Sequence, residues 1–539
     1  MPQAWWRVAY ITALLTIFSV AAHARFSVSF ETFIDGDVRG YLEPALSTLR
    51  GQGFVHLQGL NYLYPGALLL VLKSFGDMRG ILLSQQTLGL LGGMLLVLSW
   101  NRLADFLPSS RVPRSVHYGI GLVGAAMFLL SHPPRFLELY VRSDAVCMFL
   151  QLLAIWLLLQ FLYYRLVAAG AHRATAVYAI LVCSAAYVLA SVKPSFTLAA
   201  IVIALPVLWL MLRSRAGWGY RVVFVAGSTA IILALEIPEQ LLKRTDATTD
   251  YFLPATLFAV HANIIHAQMQ ADLARDETGE YPRDLLQVSA DELGAALLDR
   301  SPQFFRLRAS LGFDPDSLIF PAEGVVQRWR ARFGDEEGLI RFLNYHYRRA
   351  LLGRPFEFAA KIGRQLGVFY RNCPAFNSQK KRGVDRRYCD SAKILDDPTI
   401  QALMTPLAWT QKFVTRTKEL CASGAAIAQP KRIRQLNWLF ARTYLPLLLV
   451  AVPAALWIAL RRGSSSNEKF GAFFVLLFYS QNFGNTLGIS VVHFMEIERY
   501  SSVQFVAALL AHLWGIRWLL ELALASINRV RSRPEPSFA

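Results

Sequence analysis

Long apolar runs separated by short polar segments make up most of the chain, and one long hydrophilic stretch interrupts them. Ten of these runs approach the roughly 20 residues that a helix needs to cross a bilayer core about 30 Å thick. They are 6–24, 80–100, 115–132, 144–164, 175–192, 195–212, 222–238, 443–460, 470–490 and 501–516. The pattern predicts an all-α polytopic membrane protein with about ten transmembrane helices.

The hydrophilic stretch 239–440 has the pattern of a largely helical domain. Amphipathic runs near 284–299, 339–352 and 399–419 are separated by Pro and Gly residues, and no run alternates as a β-strand would. We therefore predict four regions. They are an N-terminal membrane region (1–238) with a first loop (25–79), the domain 239–440, C-terminal membrane helices (441–516) and a tail (517–539).

Composition and charge agree with a membrane protein and indicate its orientation. Of the 539 residues, 54% are hydrophobic and 17% are charged, whereas soluble domains carry about 25% charged residues. If the N-terminus is cytoplasmic, the inner short segments hold sixteen Lys and Arg residues and the outer ones nine. This bias predicts cytoplasmic termini in a plasma or inner membrane, with the first loop and the 239–440 domain outside. Because the positive charge lies beside apolar runs, we expect no nucleic-acid partner.

The five cysteines fall into two groups. Cys147 and Cys183 lie within apolar runs, whereas Cys373, Cys389 and Cys421 lie in the hydrophilic stretch. No pair has the CxxC spacing of a zinc or redox site. In an oxidising compartment we predict a Cys373–Cys389 disulfide that closes a basic loop, and three free thiols are the alternative.

The first loop holds the most informative polar residues. Asp35 and Asp37 follow the first predicted span by about ten residues and precede a short amphipathic helix, which we expect to rest on the membrane. Aspartate is a preferred N-cap residue, so helix capping is one interpretation. The other is chemical, since a carboxylate can act as a general base. A divalent metal held by Asp35 and Asp37 is a further alternative.

A longer pattern in the first loop precedes a short apolar helix over 62–75. Its residues are Asp37, Tyr41, Ala45, Gly51, Gly59-Leu60-Asn61-Tyr62 and Pro65. This pattern resembles the first loop of the GT-C integral-membrane glycosyltransferases, especially the branch of the lipid A aminoarabinose transferases and protein O-mannosyltransferases. The resemblance implies a polyprenyl-phosphate sugar donor and an acidic catalytic base, here Asp37. Where that family often has Asp-Glu, this chain has Val38 after Asp37, and Asp35 is the candidate for the second catalytic carboxylate.

Three shorter segments extend the resemblance. They are the run from Glu138 through Arg142 to Asp144, the pair Lys193-Pro194, and Glu498-Arg499-Tyr500. All are predicted at the outer ends of spans, where cations can hold the donor phosphate. Contact with ordinary anionic lipid is the alternative. The expected phosphate-binding residues are Lys193, Arg499 and Arg142. The expected substrate-binding residues are Tyr41, Asp144, Glu138, His493, Glu496 and Tyr62.

We therefore hypothesise that the protein is a cell-envelope glycosyltransferase, which moves a sugar from a polyprenyl-phosphate donor to a lipid, glycan or protein acceptor. The chain has no nucleotide-binding or nicotinamide-binding motif, so no cofactor is implied beyond the alternative of a divalent metal. One rival class is a polysaccharide polymerase or ligase that uses lipid-pyrophosphate oligosaccharides. A transporter or flippase is the other, and it predicts broken helices and charges at mid-membrane. The candidate residues lie instead at one interface.

Overall fold

The computed structural model describes residues 3–27, 30–57, 60–168, 171–213, 218–245, 251–298, 311–371, 373, 375–377, 379, 381–405, 407–492 and 497–531. Helices dominate these residues. Up to residue 243 they are α1 (Gln3–Phe26), α2 (Val38–Leu49), α3 (Leu63–Phe75), α4 (Arg79–Leu103), α5 (Arg114–Leu130), α6 (His132–Leu137), α7 (Asp144–Leu166), α8 (His172–Val192), α9 (Thr197–Leu212) and α10 (Trp218–Lys243). Between residues 252 and 422 they are α11 (Phe252–Val260), α12 (Ala262–Arg275), α13 (Arg283–Leu298), α14 (Asp316–Ile319), α15 (Val325–Phe333), α16 (Glu336–Gly353), α17 (Pro355–Arg371), α18 (Asp385–Leu395), α19 (Pro398–Met404) and α20 (Thr410–Ala422). The last four are α21 (Lys431–Leu460), α22 (Ser466–Val492), α23 (Ile497–Val503) and α24 (Phe505–Arg531).

Nine helical segments of the described chain are long and apolar enough to cross a membrane. They are Trp5–Phe26, Arg79–Phe106, Arg114–Leu137, Asp144–Leu166, His172–Val192, Pro194–Leu212, Trp218–Lys243, Lys431–Leu460 and Phe505–Ile527. Each coincides with one of the ten predicted runs. The prediction of an all-α, polytopic integral-membrane protein is confirmed.

The tenth predicted run, 470–490, lies within the 27-residue helix α22, which is not among these nine segments. Its second half carries buried Gln481, Asn482 and Asn485. The helix packs against α9, α21 and α24, and the Tyr444 hydroxyl of α21 donates to Asn482 Oδ1 over 2.9 Å. At Gly488, an added Cβ would lie 3.0 Å from the Ser195 carbonyl oxygen. The missing side chain therefore allows the close approach of α22 to the start of α9.

The last helix differs from its prediction in length. Helix α24 continues to Arg531, so residues 517–531 are helical and are not part of a tail. Arg517 and Glu521 are buried, and both contact the loop before α5. Arg517 Nη2 donates to Ser110 Oγ over 2.6 Å, and Ser110 Oγ donates to Glu521 Oε2 over 2.5 Å. Polar partners in that loop allow the charged part of the helix to be buried.

The hydrophilic stretch contains two packed groups of helices. Helices α11–α17 surround a core that includes Phe258, Trp329 and Phe342. Helices α18–α20 instead pack on the first loop and on α6. Two three-residue strands, β1 (Lys381–Gly383) and β2 (Ala426–Ala428), pair antiparallel and close this second group. We name residues 381–428 the brace.

The structure corrects the predicted disulfide. Cys389 of α18 is bonded to Cys421 of α20, with their Cα atoms 4.7 Å apart. Helices α18 and α20 pack side by side, which brings these two thiols together. Cys373 is a free, buried cysteine among the residues that pack on the membrane helices. The prediction of a Cys373–Cys389 bond is therefore wrong.

The apolar face of α2 also has a different neighbour from the one expected. The sequence suggested a helix that rests on the membrane. Leu42 and Leu46 are instead buried against Leu68 of α3 and against Ile400 and Phe413 of the brace. The first loop therefore lies between the membrane helices and the brace.

Candidate active site in the first loop

Hydrogen bonds on two sides hold the extended segment that leads to Asp35. On one side, Phe33 N–H donates to the Leu139 carbonyl over 2.6 Å, and Val141 N–H donates to the Phe33 carbonyl over 3.3 Å. These bonds form a single parallel bridge between Phe33 and Tyr140. The first loop is thereby tied to the segment between α6 and α7.

Helix α18 of the brace supplies the bonds on the other side. The Tyr388 hydroxyl accepts from Glu31 N–H over 3.2 Å and donates to the Glu31 carbonyl over 2.8 Å. Ser391 Oγ lies 2.9 Å from Ile34 N and 2.8 Å from Ile34 O. Tyr388 and Ser391 are three residues apart, so they project from the same face of α18. The two hydroxyl groups bond to backbone N–H and C=O groups of the extended segment, as the backbone of a neighbouring strand would.

The two aspartates of the first loop share one arginine. Arg142 Nη2 lies 2.6 Å from Asp35 Oδ2 and 3.1 Å from Asp37 Oδ2. The Asp37 N–H donates to Asp35 Oδ1 over 3.1 Å. Asp37 is the N-cap residue of α2, but its side chain makes no capping hydrogen bond. Its carboxylate is thus directed to cations and not to the helix that follows it.

A second arginine joins the first loop to the membrane helices. Arg499 Nη1 lies 3.4 Å from Asp37 Oδ2, and Arg499 Nε donates to Asp144 Oδ2 over 2.8 Å. Lys193 Nζ donates to the other oxygen of Asp144. Six side chains therefore form one connected group of three acids and three bases. We name it the charged cluster: Asp35, Asp37, Asp144, Arg142, Lys193 and Arg499.

Exposure differs strongly across the charged cluster. The Asp37 side chain is 55% exposed, whereas that of Asp144 is fully buried between Lys193 and Arg499. Burial raises the pKa of Asp35 above its ordinary value, and Arg142 opposes this rise. Asp37 is the carboxylate of the cluster that an approaching molecule meets first, while Asp144 holds the two cations in place.

Aromatic rings flank the charged cluster. Lys193 Nζ lies 5.0 Å from the centre of the Tyr500 ring, a cation–π distance. The Tyr41 ring packs edge-on against Tyr64, with ring centres 5.3 Å apart. Burial raises the pKa of Tyr41 to about 12, so its hydroxyl stays neutral at physiological pH. Neither ring was among the expected site residues, although Tyr500 belongs to the segment Glu498-Arg499-Tyr500 and Tyr64 lies two residues after Tyr62.

Two predicted substrate-binding residues, Glu138 and Tyr62, make structural contacts outside the charged cluster, the second through its backbone. Both Glu138 oxygens accept from buried Arg25 of α1, over 2.7 and 2.8 Å, so this carboxylate serves a structural ion pair. The Tyr62 N–H donates to Glu239 of α10 over 3.0 Å, which ties the first loop to that helix. His493 and Glu496 lie outside the residues that the structure describes.

A metal site is not evident in the described part of the chain, which has no group of three or more His, Cys, Asp or Glu residues able to hold an ion. Asp35 and Asp37, the proposed ligands, face Arg142 instead. The cluster thus offers an exposed carboxylate that can take up a proton and cations that can bind an anion. Comparison with protein-family models, with curated proteins and with solved structures finds no match to this chain.

Proposed function

We propose that the protein is an integral-membrane glycosyltransferase that moves a sugar from a polyprenyl-phosphate donor to an acceptor on the outer face of the membrane. The observation that carries this proposal is the contact of exposed Asp37 with Arg499, which in turn shares Asp144 with Lys193. Asp37 is the candidate base, and Lys193 and Arg499 are the candidate phosphate-binding cations. These three residues come from distant segments of the chain and belong to one connected group. The resemblance of the first loop to that of GT-C enzymes supports the same function.

The connections of the spans support a donor that arrives from the membrane. The cluster residues lie between α1 and α4, between α5 and the first residue of α7, between α8 and α9, and between α22 and α24. If α22 crosses as a tenth span, all four connections lie on one side of the membrane. The excess of Lys and Arg in the opposite connections favours this side as the outer one. The cluster would then lie at headgroup level, where a lipid phosphate resides.

Each side chain has a role in the proposed transfer. Asp37 accepts the proton of the acceptor hydroxyl as that oxygen bonds to the anomeric carbon. The bond from the anomeric carbon to the phosphate oxygen breaks, and its electron pair leaves with the lipid phosphate. Lys193 and Arg499 bind the phosphate oxygens and stabilise their charge. Attack opposite the leaving group inverts the configuration at the anomeric carbon.

Arg142 and Asp144 act in this scheme mainly through their neighbours. Arg142 contacts Asp35 and Asp37 together, so it orients the base and is less available to the donor than its sequence position suggested. Buried Asp144 fixes Lys193 and Arg499. Tyr500 lies under both cations, with its ring centre 5.0 Å from Lys193 Nζ and 5.3 Å from Arg499 Cζ. The phosphate-binding pair is thus preorganised by one acid and one ring.

The test is sugar transfer by the purified full chain, reconstituted in lipid nanodiscs with a panel of polyprenyl-phosphate sugars and a lipid acceptor extract. Removing a general base typically lowers the rate by about 10²–10⁴-fold, so we expect Asp37→Asn to lower kcat by that factor. Asp276→Asn, at an exposed aspartate on the end of α12, is the matched control and should keep full activity. Full activity in Asp37→Asn, or no turnover with any donor, would overturn the proposal.

A second candidate function uses the same cluster. Three cations within one group could also hold a pyrophosphate, as a polymerase or ligase that uses lipid-pyrophosphate oligosaccharides requires. The nanodisc assay separates the two when lipid-pyrophosphate donors are included. Transfer from a pyrophosphate donor alone would favour the polymerase or ligase, and transfer from monophosphate donors favours the first proposal.

A further inference from the structure

Helix α17 begins with the most exposed large apolar side chain of the described residues. Phe356, in its first turn, is 88% exposed, and Leu352 at the end of α16 is 82% exposed. Both residues belong to the hydrophilic stretch 239–440. Exposed apolar side chains that lie close together mark a contact with a partner or with a membrane.

The sequence of α17 explains why an apolar face is left exposed. The residues of the buried face recur at spacings of three and four: Phe358, Lys361, Gln365 and Phe369. The opposite face is exposed and consists of apolar or small residues: Phe356, Ala359, Ala360, Gly363 and Gly367. We name these five residues the outer face. A Cβ added at Gly363 or Gly367 would meet no atom within 4 Å, so the space over the outer face is open.

A contact with α21 shows the level at which α17 lies. The ring of Tyr370, near the end of α17, stacks on the ring of Tyr444, with ring centres 6.1 Å apart. Tyr444 is the second residue of the apolar run 443–460 within the span α21. Tyr370 therefore lies where the hydrocarbon-crossing part of α21 begins. Tyr and Trp residues concentrate at this level in membrane proteins.

Contacts with α22 show that most of α17 stays near this level. Lys361 Nζ donates to the Ser490 carbonyl over 3.0 Å, and the Tyr370 hydroxyl donates to Thr486 Oγ1 over 3.4 Å. Lys361 and Tyr370 are about 14 Å apart along α17, whereas Ser490 and Thr486 are only about 6 Å apart along α22. The axis of α17 is therefore strongly inclined to that of α22, and α17 crosses the last turns of that helix.

The buried face of α17 places it on the side of the membrane that holds the charged cluster. Phe369 packs with Ile489 and with Tyr500. The Tyr500 ring is the one that lies beside Lys193 and Arg499. The helix therefore adjoins the charged cluster through its buried face, while its outer face points away.

The charges of α17 suit a surface of lipid phosphates. Arg364 and Arg371 are exposed and lie seven residues apart, so they share one edge of the outer face. The helix has one acid, Glu357, whose Oε1 accepts from Arg354 Nη1 over 2.6 Å. The stem of an arginine side chain packs along apolar surface while its guanidinium stays among polar headgroups. Guanidinium groups also match the oxygens of a phosphate.

We infer that α17 lies in the headgroup region of the membrane, with its outer face on the acyl chains, and that Arg364 and Arg371 bind the phosphates of anionic lipids. Lipid is the medium that surrounds a membrane protein at the level of Tyr444, so lipid is the occupant that the position of α17 favours. An apolar face with basic residues at its edge is typical of helices that lie in the interface. The inference does not depend on the proposed function.

The test places a fluorophore on the outer face of the full chain, with one copy in each lipid nanodisc. The Cys183→Ala chain is the background, and NBD is attached at Phe356→Cys or at Ala360→Cys. The nanodiscs contain phosphatidylcholine or phosphatidylglycerol with a nitroxide near the headgroup end of one acyl chain, which quenches NBD at short range. We expect both labels to lose fluorescence as a label at Leu456→Cys does, since Leu456 is exposed within the span α21. A label at Asp276→Cys, in an exposed ion pair of α12, should keep its fluorescence.

Paired lipids test the two arginines. Nitroxide-bearing phosphatidylglycerol should quench the label at Phe356→Cys at a lower mole fraction than nitroxide-bearing phosphatidylcholine. Arg364→Gln and Arg371→Gln should each reduce this preference by about fivefold, the effect of one basic residue near an anionic surface. Arg275→Gln, at an exposed arginine of α12, is the control and should leave the preference unchanged. Thermal melting confirms that each variant is folded.

The opposite results are equally clear. If neither lipid quenches the labels at Phe356→Cys and Ala360→Cys, the outer face meets water and the inference is wrong. Energy transfer between labelled copies in phosphatidylcholine vesicles, without quenching, would assign the outer face to a second copy and overturn the inference as well. Equal quenching by the two lipids, or an unchanged preference in both arginine variants, would overturn the anionic-lipid site. None of these measurements requires sugar transfer, so they stand apart from the test of the proposed function.

Discussion

Lys361 is a buried lysine of α17 that has no acidic partner among the described residues. Its Nζ donates to the Ser490 carbonyl at the end of α22 over 3.0 Å and lies 3.3 Å from His261 Nε2. His261 Nδ1 bonds to the Leu257 carbonyl, so Nε2 is the free acceptor. Burial, assisted by Arg364, lowers the pKa of Lys361 to about 7. This lysine joins the α11–α17 group to α22 at the cost of a buried, titratable amine.

The position of Lys361 predicts how stability depends on pH. An unfolded lysine titrates near 10.5, so between about pH 7 and 10.5 the unfolded chain binds the proton that the folded chain has released. Stability contributed by this site therefore rises with pH over that window. Melting temperature measured from pH 6 to 9 should increase, and Lys361→Met should flatten the profile and raise the melting temperature at pH 6. Lys418→Met, at a half-exposed site, is the control and should keep the wild-type slope.

At the scale of secondary-structure elements, the contact of α18 with the first loop positions the candidate base Asp37. Tyr388 and Ser391 bond to the backbone on either side of Phe33, and Asp35 and Asp37 follow directly. These two side chains do not touch the charged cluster. They are positioning residues, because their effect on Asp37 passes through the backbone of the first loop.

Removing the hydroxyl at Ser391 therefore should impair transfer without impairing binding. Ser391→Ala leaves the buried Ile34 N–H without its partner, a loss worth about 1–3 kcal/mol. We expect kcat to fall by about tenfold with KM nearly unchanged, and Ser391→Thr to restore most of it. Ser423→Ala removes an exposed hydroxyl of the same brace and should have no effect. An equal loss in Ser391→Thr, or a change in KM alone, would refute the positioning role.

Elements formed by local rules were predictable from the sequence, and pairings between distant elements were less so. Bilayer thickness determines helix length, so nine apolar runs were sufficient to place nine spans. The ion pair of Glu138 with Arg25 was not predictable, because the two residues are 113 positions apart and meet only when α1 packs beside the end of α6. The disulfide was misassigned because it depends on the packing of α18 against α20. Asp37 and Arg499, 462 positions apart, were chosen together only through the family resemblance.

At the scale of the whole molecule, the brace connects the first loop to the membrane helices by charge as well as by hydrogen bonds. Arg416 of α20 lies 2.5 Å from buried Glu31 and 2.7 Å from Asp77, which precedes α4. Arg79 reaches the same Glu31 oxygen over 2.6 Å. Helix α18 holds the first loop through Tyr388 and Ser391, and α20 holds it through Arg416. The Cys389–Cys421 bond joins these two helices, so a single covalent link supports both attachments.

This arrangement predicts that the activity depends on oxidation of the chain. The disulfide closes a segment with a sequence separation of 32, and the chain-entropy relation gives about 3–4 kcal/mol for a loop of that length. Cys389→Ser/Cys421→Ser should therefore lower the free energy of unfolding by about that amount and reduce transfer. The reason is that α18 and α20 no longer hold Glu31 and Ile34 as one unit. Thermal melting and the nanodisc assay, with and without dithiothreitol, measure both effects.

Two controls make this prediction specific to the brace. Cys183→Ala removes a free thiol from a membrane helix and should respond to dithiothreitol as the wild type does. The double variant should be insensitive to the reductant, because no bond remains to be reduced. If the reductant lowers wild-type activity but not its melting temperature, the bond positions the first loop without stabilising the fold. If neither changes, the brace holds the first loop through its hydrogen bonds and ion pairs alone, and the coupling between α18 and α20 does not require the covalent link.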